Sequence, residues 1–286
     1  MKITSVIFIF LASIVTLTFA FDYSFRGVNW AQDGDNDFNP ACAGSNQSPI
    51  NIIRSDTIHL TESDVKPMRH ACGDVAGKLI NNGHTIKFET NDGNPIVSDH
   101  SYMTGGPLND TKYHFWQFHL HWGFWNCNGS EHTVDNSRFP AELHLVHVRE
   151  DFLQANGSID PVAFSTPGGL SVLGIFLDTV SDHSAATSWF HVSLKNNYSR
   201  VCLIILVYLQ PIADAAQEIV DCKDSSKIID SIDFNLNQIS QRINPTFKGH
   251  FNYWYYDGSL TTPDCNEIVS WIIAEKPLTI TNAQVK

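Results

Sequence analysis

Two stretches of this chain constrain its fold more than any others. Tyr113 to Trp122 carries His119 and His121 inside an aromatic run, and Ala141 to Val148 carries His144 among aliphatic residues. Both are bounded by turn-forming residues and rich in side chains that suit a pleated surface, so both read as β-strands. Side chains of a strand alternate faces, which puts Gln117, His119 and His121 on one face of the first ribbon and Glu142, His144 and Val146 on one face of the second. If the two strands lie side by side, three imidazoles meet at one point.

The rest of the chain has the same character. Short apolar runs alternate with Gly, Pro, Asn and Asp, Leu170 to Leu177 reads as a third strand, and helical periodicity is scarce except around Ala213 to Val220. The expectation is a mainly β (α+β) fold: a single domain around a large, mostly antiparallel central sheet with short peripheral helices. No linker or internal repeat divides the 286 residues. With 18 Lys and Arg against 30 Asp and Glu, the net charge is -12, which argues against a nucleic-acid partner.

Residues 1–20 read as a signal peptide, with Lys2 before an apolar run and the pattern Thr18-Phe19-Ala20 at its end, leaving 21–286 as the domain. The apolar run is short for a membrane span and no stop-transfer pattern follows it, so the expectation is a secreted protein with no transmembrane segment. Cys42, Cys72, Cys127, Cys202, Cys222 and Cys265 form no CxxC pair, which disfavours a cysteine zinc site and leaves disulfides open. Sequons at Asn46, Asn109, Asn128, Asn156 and Asn197 suit an exported glycoprotein.

Three histidines from two strands are the donor set of a catalytic zinc site, which takes three protein ligands and keeps its fourth position for water. A lone His-x-His in a strand is more often a surface or core feature than a ligand pair; the histidine on the second strand is what favours a site. Gln117 and Glu142 each lie two residues before a ligand on the ligand's own face, placed to fix an imidazole tautomer.

The blocks Phe118-His119-Leu120-His121-Trp122-Gly123, Gly129-Ser130-Glu131-His132-Thr133-Val134-Asp135 and Ala141-Glu142-Leu143-His144-Leu145-Val146-His147 resemble the α-carbonic anhydrase family of the secreted type. The likeness extends in order to Gln47-Ser48-Pro49-Ile50-Asn51-Ile52, Asn81-Asn82-Gly83-His84, Gly105-Gly106-Pro107-Leu108, Val172-Leu173-Gly174-Ile175-Phe176-Leu177 and Gly258-Ser259-Leu260-Thr261-Thr262-Pro263.

The resemblance implies reversible hydration of carbon dioxide to bicarbonate and a proton, with Zn2+ as cofactor and His119, His121 and His144 as ligands. The nucleophile is a zinc-bound hydroxide, formed near neutral pH by a property established for the family's zinc-bound water. Thr261 and Glu131 match the pair that orients that hydroxide, and His84 matches the proton shuttle. Val146, Val172, Leu260 and Trp271 match the apolar pocket for the gas, with Thr262 on its rim. Cys42 and Cys265 match the family's disulfide, whereas His132 and His147 match histidines that hydrogen-bond within the core and are not ligands.

The chain departs from the family at an apparent insertion near 191–210 containing Val201 to Leu209, read either as a retained intron or as a surface excursion, and at an early end at Lys286. Two alternatives stand beside the enzyme: a carbonic-anhydrase-related binding or matrix protein that keeps the fold without turnover, and a cupin-like metalloprotein, which Trp122-Gly123 and the Gly258 to Pro263 block fit poorly. Oligomeric state is open.

Overall fold

The structure, a computed structural model, describes residues 30–31, 39–61, 63–81, 85–99, 101–123, 128–180, 228–235, 239 and 251–281. Twelve strands occur among them: β1 (Asn51–Ile52), β2 (Lys66–Cys72), β3 (Asp74–Asn81), β4 (Ile86–Thr90), β5 (Ser101–Gly106), β6 (Tyr113–Trp122), β7 (Thr133–Val134), β8 (Ala141–Arg149), β9 (Leu170–Val180), β10 (Ile228–Asn235), β11 (Tyr253–Gly258) and β12 (Val269–Thr281). Ten of them form one sheet in the order β10-β3-β4-β6-β8-β9-β12-β11, with β5 joining β6 and β2 pairing β5. Neighbours are antiparallel except β9 and β12, which run parallel, while β1 and β7 form a separate parallel pair. The expected mainly β fold is met, and the three expected strands are β6, β8 and β9. The helical elements whose two ends lie among the described residues are four short 3-10 turns, at Pro40–Ala43, Arg54–Asp56, Glu150–Phe152 and Pro161–Ser165. Residues 1–20, His84, Cys127, Asn197, the 191–210 segment, Cys202, Ala213 to Val220 and Cys222 lie outside the described residues.

β8 shows why this sheet can hold a buried site. All of its residues but Arg149 are buried, so both of its faces are covered. Leu143 and Leu145 face one side, in a cluster with Phe118, Leu120, Leu173 and Ile175. Val146 and Val148 face the other, with Val172, Trp271 and Ile273. Burying one such side chain fully contributes on the order of 1.5–3 kcal/mol, so the two clusters fix the sheet firmly from both sides. His119, His121 and His144 project on the side of the second cluster. A bulge between Phe115 and Gln117 sets the phase of β6 so that Gln117 opposes Val146 and His119 opposes His144.

On the other side of the sheet the structure places a second pair of histidines, of which only His147 is expected from sequence. His147 Nδ1–H donates to the Leu145 carbonyl at 2.9 Å, leaving its Nε2 as acceptor for the Nε2–H of His70 on β2 at 3.2 Å. Burial pulls the pKa of His70 down to about 4, and burial together with the neighbouring His70 holds that of His147 well below its usual value. A folded-state pKa below the unfolded value of about 6.5 means that folding favours the neutral ring. This stabilisation is complete above about pH 6.5 and is lost as pH falls towards 4. His70→Gln keeps a donor for His147 but does not titrate. Chemical denaturation will show the stability gap between pH 7 and pH 4 shrinking by about 3 kcal/mol in that variant.

Cys42 and Cys265 form the expected disulfide, with Cα atoms 4.9 Å apart and a sequence separation of 223. It ties the Pro40–Ala43 turn to the loop that carries Leu260, Thr261 and Thr262. Replacing both cysteines by serine will lower stability by about 2–5 kcal/mol, measured by urea denaturation.

Candidate metal centre

The trio sits where β6 meets β8. His119 and His144 are direct cross-strand partners, and His121 lies one pleat along the same face. Ring centroids are 5.1 Å apart for His119 and His121, 5.2 Å for His119 and His144, and 4.6 Å for His121 and His144. One nitrogen from each ring falls within 4.8 Å of the other two. Burial lowers the pKa of all three, and for His119 and His121 a neighbouring histidine adds to the effect. The rings are therefore neutral at physiological pH, the state in which imidazole binds a metal.

Which nitrogen of each ring faces the centre follows from what holds the other one. His119 Nδ1 donates to Gln117 Oε1 at 3.0 Å, leaving Nε2. His144 Nε2 donates to Glu142 Oε1 at 2.8 Å, leaving Nδ1. His121 Nδ1 lies 3.2 Å from Glu131 Oε1, and its Nε2 is buried with no hydrogen-bond partner. A buried imidazole lone pair without a donor is costly in a protein interior and is what a metal ion satisfies. The donor set therefore fits zinc: three neutral nitrogens, with no fourth protein ligand joining the trio among the described residues.

Glu142 does more than orient one ring. Its Oε1 accepts from His144 and, at 2.6 Å, from His132 Nδ1, while its Oε2 accepts from the backbone N–H groups of Glu131 and His132, each at 2.9 Å. Burial opposes the charge, yet His132 and His144 hold the carboxyl well below its ordinary range. His132, Glu142 and His144 also form a group close enough to hold a metal, but these hydrogen bonds already occupy their facing atoms. His132 Nε2 lies 2.6 Å from the Tyr256 hydroxyl, which is 2.8 Å from Ser48 Oγ. His132 is thus a core histidine joined to β11 and to the segment before β1. Sequence reasoning did not single out Tyr256 or Ser48 for this chain; the only signal was that both fall in or beside the blocks of resemblance.

The remaining expected residues divide as follows. Val146, Val172 and Trp271 oppose one another across β8, β9 and β12 in a row next to that of His144. Trp271 packs its ring 4.9 Å from that of His144, and its indole N–H donates to Ser259 O at 3.0 Å. Leu260 packs against the same cluster, and Thr261 and Thr262 are half-buried beside it. Burial pushes the Glu131 carboxyl well above its ordinary range, with Glu142 adding to this, while a hydrogen bond from the Thr261 hydroxyl acts in the opposite direction. A cation bound beside it also favours the charged form. Gly174, between the His144 and Ile273 positions, is needed for space: a Cβ there would sit 2.7 Å from Ile273 Cδ1 and 3.3 Å from Glu142 Oε1.

Fold and trio together define a β-sheet protein with a three-histidine cluster able to bind a metal. The eukaryotic-type carbonic anhydrase family matches residues 28–286, and the chain belongs to that family. It is 32% identical to carbonic anhydrase 7 of Homo sapiens over 253 residues, covering 86% of this chain and 77% of that protein. Against carbonic anhydrase 3 of Equus caballus the identity is 31% over 250 residues, covering 87% of this chain and 79% of that protein. The family is zinc-dependent, and the trio here is equipped to hold that ion.

Removing Glu142 strips His132, His144 and two backbone donors of their acceptor inside the core. Glu142→Ala will cost about 3–5 kcal/mol in denaturation experiments, the scale of a broken buried ionic network.

Proposed function

We propose that this chain is a secreted zinc enzyme that interconverts carbon dioxide and water with bicarbonate and a proton. The observation that carries the reading is the convergence of three neutral rings, two of them with the outer nitrogen hydrogen-bonded to an amide or carboxylate, with no fourth protein ligand among the described residues. Family membership supports the same reading. Bound there, zinc supplies the Lewis acidity that makes water a nucleophile at neutral pH.

The chain's own residues supply the rest. His119 and His121 would hold the ion through the Nε2 atoms left free, and His144 through Nδ1. Gln117 and Glu142 keep two of these rings in the binding tautomer. Thr261, hydrogen-bonded to Glu131, would orient the nucleophile, a gain in orientation rather than in charge. Val146, Val172, Leu260 and Trp271 form an apolar wall that accepts a nonpolar gas and excludes water, with Thr262 at its rim. His84 carries the released proton towards solvent in this reading, and it lies outside the described residues.

Secretion is part of the proposal. It is supported by the apolar leader at 1–20, by the Cys42–Cys265 disulfide, and by the exposure of Asn46, Asn109 and Asn156. No helix among the described residues is long and apolar enough to cross a membrane.

Stopped-flow carbon dioxide hydration with metal analysis tests the function. The zinc-loaded protein will hydrate carbon dioxide, and Thr261→Ala will slow it about 100-fold, the scale of lost orientation in the site. A zinc-loaded, folded wild type without hydration activity would remove the enzyme reading.

A further inference from the structure

β4 lies next to β6 and adds two charged side chains to the face that carries the trio. Its buried residues Ile86, Phe88 and Thr90 alternate with half-buried Lys87 and Glu89, so the lysine and the glutamate share one face of the strand. In the register Lys87 opposes His119 and Glu89 opposes Gln117. Directly opposed residues of an antiparallel pair project on the same side of the sheet, so both charges stand on the metal side and Lys87 is the cross-strand neighbour of a candidate ligand. On the other flank of β6, His144 is the neighbour of His119 and Val146 that of Gln117. The trio therefore has a cation on one side and the apolar wall on the other.

The cation is held in place without being cancelled. Glu89 Oε2 lies 2.7 Å from Lys87 Nζ, and Glu89 Oε1 lies 3.0 Å from Nζ of Lys78, its cross-strand partner on β3. Two ammonium groups share one carboxylate, so the cluster carries one net positive charge. It is partly shielded from water, the lysine side chains being 25% and 27% exposed and that of Glu89 16%. Burial opposes the charge on Glu89, yet hydrogen bonds from Lys87 and Lys78 hold its carboxyl below the ordinary range, so it stays ionised at neutral pH. Lys87 Nζ also stands 5.8 Å from the ring centroid of Trp116, which packs against the cluster of Val146 and Val172 and donates its indole N–H to Gly93 O at 2.8 Å. Carboxylate and ring thus fix the ammonium from two directions.

We propose that Lys87, held by Glu89 and Trp116, is a specificity-determining residue of the site: it draws small monovalent anions, the bicarbonate of the proposed reaction among them, to the metal side of the sheet. This deepens the proposed function and rests on it. Carbon dioxide carries no net charge and gains little from a fixed cation, whereas bicarbonate is an anion on which a partly shielded ammonium acts over roughly 5–10 Å. Solvent and salt weaken such a field, which sets the gain in anion affinity at about threefold to tenfold at low ionic strength. A lysine that served only to pair with Glu89 would affect stability and leave anion affinity untouched.

Two measurements separate these cases. In the full chain as purified, quenching of tryptophan fluorescence by iodide is compared with quenching by neutral acrylamide, each protein being paired with its Trp116→Phe counterpart so that the difference isolates Trp116. Lys87→Met lowers iodide quenching of Trp116 about twofold or more and leaves acrylamide quenching unchanged, while Lys87→Arg keeps the iodide value. In the cobalt-substituted full chain, titration with sodium thiocyanate and with sodium bicarbonate is followed by visible absorption. Both anions bind about threefold to tenfold more weakly to Lys87→Met, and within about twofold of wild type to Lys87→Arg. Lys87→Gln takes the place of Lys87→Met if near-ultraviolet circular dichroism shows that the latter does not fold. Wild-type anion affinity or wild-type iodide quenching in the neutral variant overturns the proposal, and so does a fall in acrylamide quenching equal to that in iodide quenching. A metal-loaded wild type that hydrates no carbon dioxide removes the function reading, and a chain that takes up no cobalt removes the metal centre, while in either case the iodide comparison still decides the part played by Lys87.

Discussion

The register between β6 and β8 is the constraint on which the rest of the structure depends. His119 opposes His144 and His121 opposes Glu142, so the first pair faces the candidate metal centre together while the second brings His121 beside the carboxylate that organises the wall behind it. Because side chains in a strand repeat every two residues, a slip of one position would turn the whole set to the opposite cluster. Phe118, Leu120, Leu143 and Leu145, all buried, prevent that slip, since each would have to leave its own core to allow it. The apolar residues between the ligands are what hold the ligands in place.

The same sheet handles buried histidines in two ways. On the metal side His119 and His144 each give one nitrogen to an oxygen acceptor and keep the other for the centre. On the far side His147 and His70 satisfy each other, and the chain of donation from His70 through His147 to the Leu145 carbonyl leaves no facing pair of donors. In both places desolvation favours the neutral ring, so acid acts against the fold on both faces of the sheet.

What was legible in the sequence was whatever depends on strand alternation or on an unbroken motif. The period of two revealed Gln117 behind His119 and Glu142 behind His144, and the motifs gave the Cys42–Cys265 pair. Contacts between distant segments left no periodic trace. His70 lies on β2, far from β8 in sequence, and nothing in its neighbours announces His147 as its partner. Tyr256 belongs to an aromatic run, Tyr253 to Tyr256, in which only the three-dimensional structure shows which ring meets His132. Glu131 was legible as a partner of Thr261, while its closeness to His121 was not, because that comes from the path of the loop and not from spacing. His84 and the 191–210 segment fall outside the described residues, so the sequence reading of both stands as an expectation.

The site is assembled from two kinds of support. The ligands stand on strands, whose positions are set by the sheet, while Thr261 stands on a loop, which has no ladder of its own. That loop is fixed by side chains from the start of the domain. Gln47 Nε2 donates to the Cys265 carbonyl at 3.1 Å, the Ser48 backbone donates to Ser259 Oγ at 2.9 Å, and the Ser259 backbone donates to Ser48 Oγ at 3.0 Å. The disulfide adds a covalent tie at the same point. Ser48 Oγ also meets Tyr256, which meets His132, which meets Glu142, which holds His144. Thr261 and His144 are therefore referenced to one serine by hydrogen bonds through different elements. Sub-ångström placement of a reacting group relative to a metal needs such a shared reference, because a loop and a sheet that moved independently would lose orientation even with every catalytic side chain intact.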